Sequence, residues 1–340
     1  MSDEPREGKA LIDATRPFVA ESVGRSWWAL LSTLGLLSGA VTATILLPWW
    51  PARLAASVLA GLLTVRGFIL YHDHMHGALL RRSTVARWIM YAYGVLVLTP
   101  PRVWRQTHNY HHANNAKIVG SHVGSYPVLT LDMWDKATPM QRLMYRVARH
   151  PLTILLGYAG IFVYGMCIHS FLRRPSKNWD SALAVVVHFA IFAVLWIYAG
   201  ADVLWLSFLL PLMIAFASGA YLFYAQHNFE GVHLQPREKW SYTRAAIESS
   251  SYMKLGPIMN YFTGNIGYHH VHHLNPTIPF YRLAEAMAAI PELHAAKVTT
   301  LWPRDIAACF RLKLWDPSSG QMVGYPTVTP ATEPGQPSPG

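Results

Sequence analysis

LAASVLAGLLTVRGFILYHDHMHG, residues Leu54–Gly77, decides the fold. Its first part, Leu54–Tyr71, is apolar except for Ser57, Thr64, Arg66 and the hydroxyl of the closing Tyr71. As a helix it is long enough to cross most of the roughly 30 Å hydrocarbon core of a bilayer. The chemistry then changes within one residue, to His72-Asp73-His74-Met75-His76-Gly77. His72 and His76 stand four apart, a spacing that puts both rings on one face of a helix. The stretch therefore predicts an apolar helix that delivers paired imidazoles at its end.

Other apolar runs lie on both sides of it: Trp27–Trp50, Val85–Pro100, Leu152–Leu172, Ala182–Ala199 and Val203–Ala225. Val85–Pro100 is too short for a crossing and reads as interfacial or re-entrant. Leu152–Leu172 carries Arg142, Arg146 and Arg149 before it and Arg173, Arg174 and Lys177 after it. Basic residues at both ends place both ends in the cytoplasm, so this run reads as a buried or interfacial hairpin. Four crossings remain, out by Trp27–Trp50 and back by Leu54–Tyr71, then out by Ala182–Ala199 and back by Val203–Ala225. Arg53 alone falls in an outer loop and Arg66 alone within a crossing, so both termini belong inside. In a bacterium this is the inner membrane.

The whole composition agrees. The chain is 52% hydrophobic and only 14% charged, well under the roughly 25% of a soluble domain. Thirteen Trp and seventeen Tyr suit membrane–water boundaries. The net charge of +10 is spread around the apolar runs, which argues against nucleic acid. It suits an anionic membrane surface or an acidic electron donor, with Arg81, Arg82, Arg102 and Arg105 available to either. Cys167 and Cys309 are the only cysteines and are placed for no structural disulfide. No removable signal peptide is read in Met1–Arg25.

The predicted fold class is all-α and integral to the membrane, with four transmembrane helices and a cytoplasmic helical cap. Residues 1–26 form a cytoplasmic N-terminal segment and 27–315 the membrane domain. Gly231–Leu255 reads as a polar connection and Arg282–Leu314 as helices and turns of the cap. From Asp316 onward Pro, Gly, Ser and Thr dominate, which predicts a disordered tail over 316–340.

Seventeen histidines are present, and their spacing carries the argument. His108, His111 and His112 stand at i, i+3 and i+4; His269, His272 and His273 repeat that pattern; His227 ends the last crossing. With His72 and His76 these make nine imidazoles in four segments expected at one membrane face. Clustered imidazoles repel when protonated, and packing gives no reason to gather them, whereas a metal does. Nine exceed the capacity of one ion, so two metals are implied. Imidazole suits zinc, copper, iron and nickel alike. Asp73 and Glu230 are candidates to orient ring N–H groups, and His74 and His270 to support or pack around the ligands. His150, His169, His188, His233 and His294 stay unassigned.

In His72–His76, His108-Asn109-Tyr110-His111-His112 and His269-His270-Val271-His272-His273, with His227 in Phe223–Glu230, the chain resembles the membrane fatty acid desaturase superfamily. Asn265–Pro276 and Ile278–Leu283 are similar to bacterial acyl-lipid desaturases. The resemblance spans roughly residues 27 to 315. It implies two iron ions bound by the nine histidines, O2 as co-substrate, and a fatty acyl lipid as substrate. It also implies electrons from a separate ferredoxin or cytochrome b5, and a cis double bond as product. His-Asp-x-Met-His-Gly is also similar to carotenoid ketolases, so a carotenoid or alkyl-chain hydroxylase or ketolase is the alternative. A membrane metal transporter is the alternative from another class, which would place ionisable ligands at mid-membrane depth.

Overall fold

The computed structural model describes residues 5–326. A short N-terminal helix, α1 (Gly8–Ala14), precedes the first long one, α2 (Val23–Leu46). The decisive stretch forms α3 (Trp50–His76), followed by α4 (Thr84–Leu96) and α5 (Pro101–Asn114). Further on come α6 (Trp179–Tyr198) and α7 (Ala201–His227). Shorter helices follow, among them α8 (Tyr242–Glu248), α9 (His269–Leu274) and α10 (Pro303–Arg311). Among the described residues, α2, α3, α6 and α7 are the four helices long and apolar enough to cross a membrane.

Two of these helices outrun their apolar stretches. At 27 residues α3 and α7 are each about 40 Å long, roughly 10 Å more than a hydrocarbon core. The surplus is the part that carries histidine. α3 runs through His72 and His76 and stops where Gly77 enters the left-handed region (φ 76°), a conformation that costs glycine little. α7 runs on to His227.

α3 is the central helix. Two thirds of its apolar stretch is buried, against 17% for α6, which leaves Val186, Phe189, Val194, Trp196 and Ile197 exposed. An outer surface of that kind is costly in water and ordinary in lipid. α3 and α7 meet at Gly61, where a Cβ would lie 2.8 Å from the Ile214 Cβ, so only glycine permits this approach. Arg66, buried on α3, donates to Thr33 Oγ1 at 3.1 Å and to the Tyr261 carbonyl, and its guanidinium stacks on the Tyr261 ring. At the end of the bundle away from the histidines, Arg53 pairs with Asp202 at 2.9 Å. The α2–α3 and α6–α7 connections therefore share one end.

α4 packs along α3, with Met90 and Tyr93 buried and the Tyr93 hydroxyl donating to the Thr64 carbonyl. The Leu152–Leu172 run differs from expectation: it is not a hairpin. Pro151–Leu155, wide π-type turns over Tyr158–His169 and Ser170–Arg173 follow one another as helix. At its start Arg149 reaches Tyr224 and Asn228 at the end of α7; near its end the Ser170 carbonyl accepts from Asn178, which precedes α6. Its two ends thus sit near the same end of the bundle. The Tyr158 and Phe162 rings stack on Phe216, and that contact packs the segment against α7.

Smaller elements close over the histidine end. Leu11 and Phe18 of the N-terminal segment pack with Val271, Leu274, Ile278 and Leu283 around α9. The parallel pair β1 (Tyr252–Met253) and β2 (Val298–Thr299) braces the same region. The tail expectation needs correction over residues 316–326. β3 (Leu314–Asp316) and β4 (Gln321–Val323) pair as an antiparallel hairpin, with Trp315 and Met322 buried beside Phe229 and Val232. Composition favoured disorder, but two large apolar side chains suffice to anchor a short hairpin onto an existing core. The rest of the expected tail lies outside the described residues. Cys167 and Cys309 are both free and buried.

Candidate metal centre

Four separate segments bring nine imidazoles together. α3 supplies His72 and His76, α5 supplies His108, His111 and His112, α7 supplies His227, and α9 supplies His269, His272 and His273. They divide into two groups: His72, His76, His108, His112 and His272 in one, and His111, His227, His269 and His273 in the other. Within each group one ring nitrogen from every histidine lies within 4.8 Å of those of the others. The i, i+3, i+4 spacing explains the division. His108 and His112 share one edge of α5 and His111 faces the other; on α9, His272 faces the first group while His269 and His273 face the second.

The Nε2 atoms point inward at each other. In the five-membered group Nε2 separations are 3.0 Å for His72–His108, 3.1 Å for His108–His112 and 3.1 Å for His112–His272. In the four-membered group they are 3.1 Å for His111–His227, 2.9 Å for His227–His269, 3.1 Å for His269–His273 and 3.3 Å for His111–His273. Rings sharing Nε2 with two neighbours cannot all be satisfied by protons, and the His76 Nε2 is buried with no partner. Imidazoles held about 2.1 Å from one ion at right angles stand about 3.0 Å apart; a tetrahedron would set them about 3.4 Å apart. Apart from His111–His273, the separations in both groups are nearer to those of right-angled neighbours on one ion than to those of a tetrahedron, with five donors in the first group and four in the second. Both could hold a metal ion, and a site short of six protein donors leaves room for a further ligand.

The opposite nitrogens fix ring orientation. His72 Nδ1 lies 3.1 Å from Asp73 Oδ1, and the other Asp73 oxygen accepts the Phe280 N–H at 2.7 Å. His111 Nδ1 meets Ser125 Oγ at 2.5 Å, and His227 Nδ1 donates to the Ser249 carbonyl at 3.0 Å. The Ser249 carbonyl can only accept, which fixes the His227 tautomer with a bare Nε2, and Asp73 and Ser125 can accept from their rings in the same way, as a metal requires. Trp104 stacks on His108 with centroids 4.4 Å apart, and Phe223 lies 4.9 Å from His111, so the bundle side of the cluster is walled by aromatic carbon.

Other expected residues lie elsewhere. Glu230 is exposed and, among the described residues, makes no hydrogen bond; the Ser249 carbonyl holds His227 instead. His74 points away, its Nδ1 2.9 Å from the Leu79 carbonyl. His270 is fully buried behind the cluster near the Ser251 and Leu293 carbonyls, with no well-formed hydrogen bond, and burial pushes it down to about 3. Ser125, Ser249 and Trp104 were not read from the sequence, because only tertiary folding brings them to the rings.

Burial, and then repulsion between neighbouring rings, holds His108, His111, His112, His269, His272 and His273 well below the ordinary histidine value. The sign follows directly. A folded-state pKa below the unfolded one means that the unfolded chain binds more protons once pH falls below about 6.5, so stability is lost on acidification. Each such residue contributes a slope of about 1.4 kcal/mol per pH unit at most. Chelator-treated protein is therefore expected to melt at steadily lower temperature from pH 7 to pH 5, and metal-loaded protein far less so. Identical pH profiles for the two forms would show that these rings are not buried neutral.

Gly267 sets the approach of α9. A Cβ there would collide with the Met253 carbonyl oxygen, and Met253 N–H donates to Gly267 O at 2.8 Å. Gly267→Ala is expected to cost about 1–3 kcal/mol and to shift His269, read as a lower melting temperature with reduced metal retention.

An apolar four-helix bundle ending in two buried polyhistidine cages defines the class, a helical protein with paired histidine clusters that could hold metal ions. The comparisons are more specific. The sequence model of the fatty acid desaturase family matches residues 48–304, and the chain belongs to that family. It is 32% identical over 282 residues to a fatty acid desaturase of Bacillus subtilis (strain 168), covering 81% of this chain and 78% of that protein. It is 22% identical to the sn-1 oleoyl-lipid 12-desaturase of Synechocystis sp. (80% and 77% covered). It is 23% identical to the sn-1 acyl-lipid omega-3 desaturase (ferredoxin) of the same organism (79% and 76% covered). The chain is accordingly an oxidoreductase that desaturates fatty acyl chains.

Proposed function

We propose that the two cages hold two iron ions, with His72, His76, His108, His112 and His272 on one and His111, His227, His269 and His273 on the other. On this reading the chain inserts a cis double bond into the acyl chain of a membrane glycerolipid. The observation that carries it is the five-and-four division of inward-pointing imidazoles at the end of an apolar bundle. When bound, the irons supply the activation of O2 that removal of hydrogen from unactivated methylenes requires.

The remaining work falls to side chains. Asp73, Ser125 and the Ser249 carbonyl keep each held ring turned with its bare nitrogen inward. Trp104 and Phe223 keep water from the bundle side. An acyl tail contributes about 0.8 kcal/mol per buried CH2, enough to hold one pair of carbons in register. The site and both termini face the cytoplasm, where an external donor of ferredoxin or cytochrome b5 type brings electrons; exposed Arg105 on α5 suits an acidic partner.

The test is expression in a host lacking the activity, with lipid profiling and metal analysis of the purified chain. New oxygen-dependent double bonds and two irons per chain are expected. Hydroxylated or keto products would favour the ketolase-like reading of His72–Gly77, and a single exchangeable zinc would sink both.

A further inference from the structure

Beside the metal centre lies a cleft of about 650 Å³ that the chemistry above does not use. It opens between the N-terminal segment, the start of α2 and the α3–α4 connection. Its lining is mixed: Val23, Trp27 and Leu80 are apolar, Arg81 and Arg82 are basic, and Glu21 is acidic. Both arginines are exposed, and among the described residues neither pairs with a carboxylate. Glu21 is engaged, because its Oε1 accepts the Leu80 N–H at 2.6 Å. That bond holds Leu80 in the left-handed region (φ 49°), uncommon for a branched residue, and turns the chain so that Arg81 and Arg82 follow into the cleft.

We propose that this cleft binds the headgroup of an anionic glycerophospholipid. The inference rests on the membrane reading above, which puts the start of α2 and the end of α3 at one membrane surface. At that depth a ligand has a phosphate on its water side and acyl carbon on its lipid side, and the cleft lining offers guanidinium and apolar side chains to match both. Basic pockets between membrane helices recognise phosphates in this way, with Trp at the boundary. The volume falls within the roughly 300–1,000 Å³ of small-molecule sites. With Glu21 counted against two arginines the lining is net positive, which selects an anionic headgroup over a zwitterionic one. Gly77 and Ala78, directly after His76, form its inner edge, so an occupied cleft buttresses the end of α3.

The experiment is native mass spectrometry of the full chain in detergent, titrated with phosphatidylglycerol, phosphatidylethanolamine, diacylglycerol of the same chains, or inorganic phosphate. Phosphatidylglycerol is expected to bind at least about tenfold more tightly than the others, and inorganic phosphate not to displace it. R81E/R82E should lose about twenty-five-fold or more of that affinity, a factor of about five for each arginine removed, while R81K/R82K keeps most of it. Trp27→Ala should weaken the lipid through its apolar part. Equal binding of all four ligands by the wild-type chain, displacement by inorganic phosphate alone, or unchanged affinity in R81E/R82E overturns the proposal. Desaturation measured on the same preparation separates the two readings. Turnover without lipid selectivity removes the headgroup site and leaves the enzyme; selectivity without turnover or iron does the reverse.

Discussion

Replacing His272 by alanine is expected to abolish desaturation, a loss of more than about a hundredfold, while the chain still folds and inserts. His272 is buried in the five-imidazole group, its Nε2 3.1 Å from that of His112 and its ring centroid 4.5 Å from that of His72. No other residue of α9 faces that group, so no neighbour can substitute. Its Nδ1 has no partner, so truncation leaves no hydrogen bond broken outside the cage. Iron should fall from two per chain to one or fewer, and circular dichroism should stay unchanged. His74→Ala is the matched control. It lies in the same histidine-rich stretch as His72 but points at the Leu79 carbonyl, so both irons should remain. Near-normal turnover in His272→Ala would strike it from the ligand set, and iron loss in His74→Ala would redraw the first cage.

What the sequence disclosed follows from how local each signal is. The spacings His72/His76, His108/His111/His112 and His269/His272/His273 are helical geometry, and the division of the rings between two cages follows from that geometry. Apolar runs located the four long helices but not their ends, because hydropathy falls silent where α3 and α7 leave the apolar zone and begin to carry histidine. Leu152–Leu172 was read from flanking charge, which speaks to where its ends lie and not to its path; the Phe216 stacking that packs it against α7 is tertiary. Glu230 looked suitable because it sits three residues from His227 in sequence, yet the chain turns at Asn228 and carries it to the surface. Ser125, 14 residues from His111, and Ser249, 22 residues from His227, had no pattern to announce them.

Arg149→Met is expected to empty the four-imidazole cage before the other. Arg149 is almost fully buried, and it donates to Asn228 Oδ1 at 2.5 Å, the Pro127 carbonyl at 2.8 Å, the Tyr224 hydroxyl at 3.2 Å and the Leu312 carbonyl at 3.3 Å. A buried guanidinium is costly, and here hydrogen bonds to neutral groups alone hold it. Tyr224 and Asn228 bracket His227 on the last turn of α7, and Asn228 in turn donates to the Cys309 and Leu312 carbonyls. One side chain thereby ties the turn bearing His227 to the end of α10 and the residue after it. Methionine has similar length and no donors, so it strands several buried acceptors at about 1–3 kcal/mol each, partly offset by removing the buried charge. A net loss of about 2–4 kcal/mol is expected. Iron should drop from two to about one per chain, with activity down at least about tenfold. Arg149→Lys keeps the charge but cannot reach all of these acceptors, and should fall between. If both irons leave together in proportion to unfolding, Arg149 is a stability residue only. If both remain with full activity, His227 does not depend on the Arg149–Asn228 link.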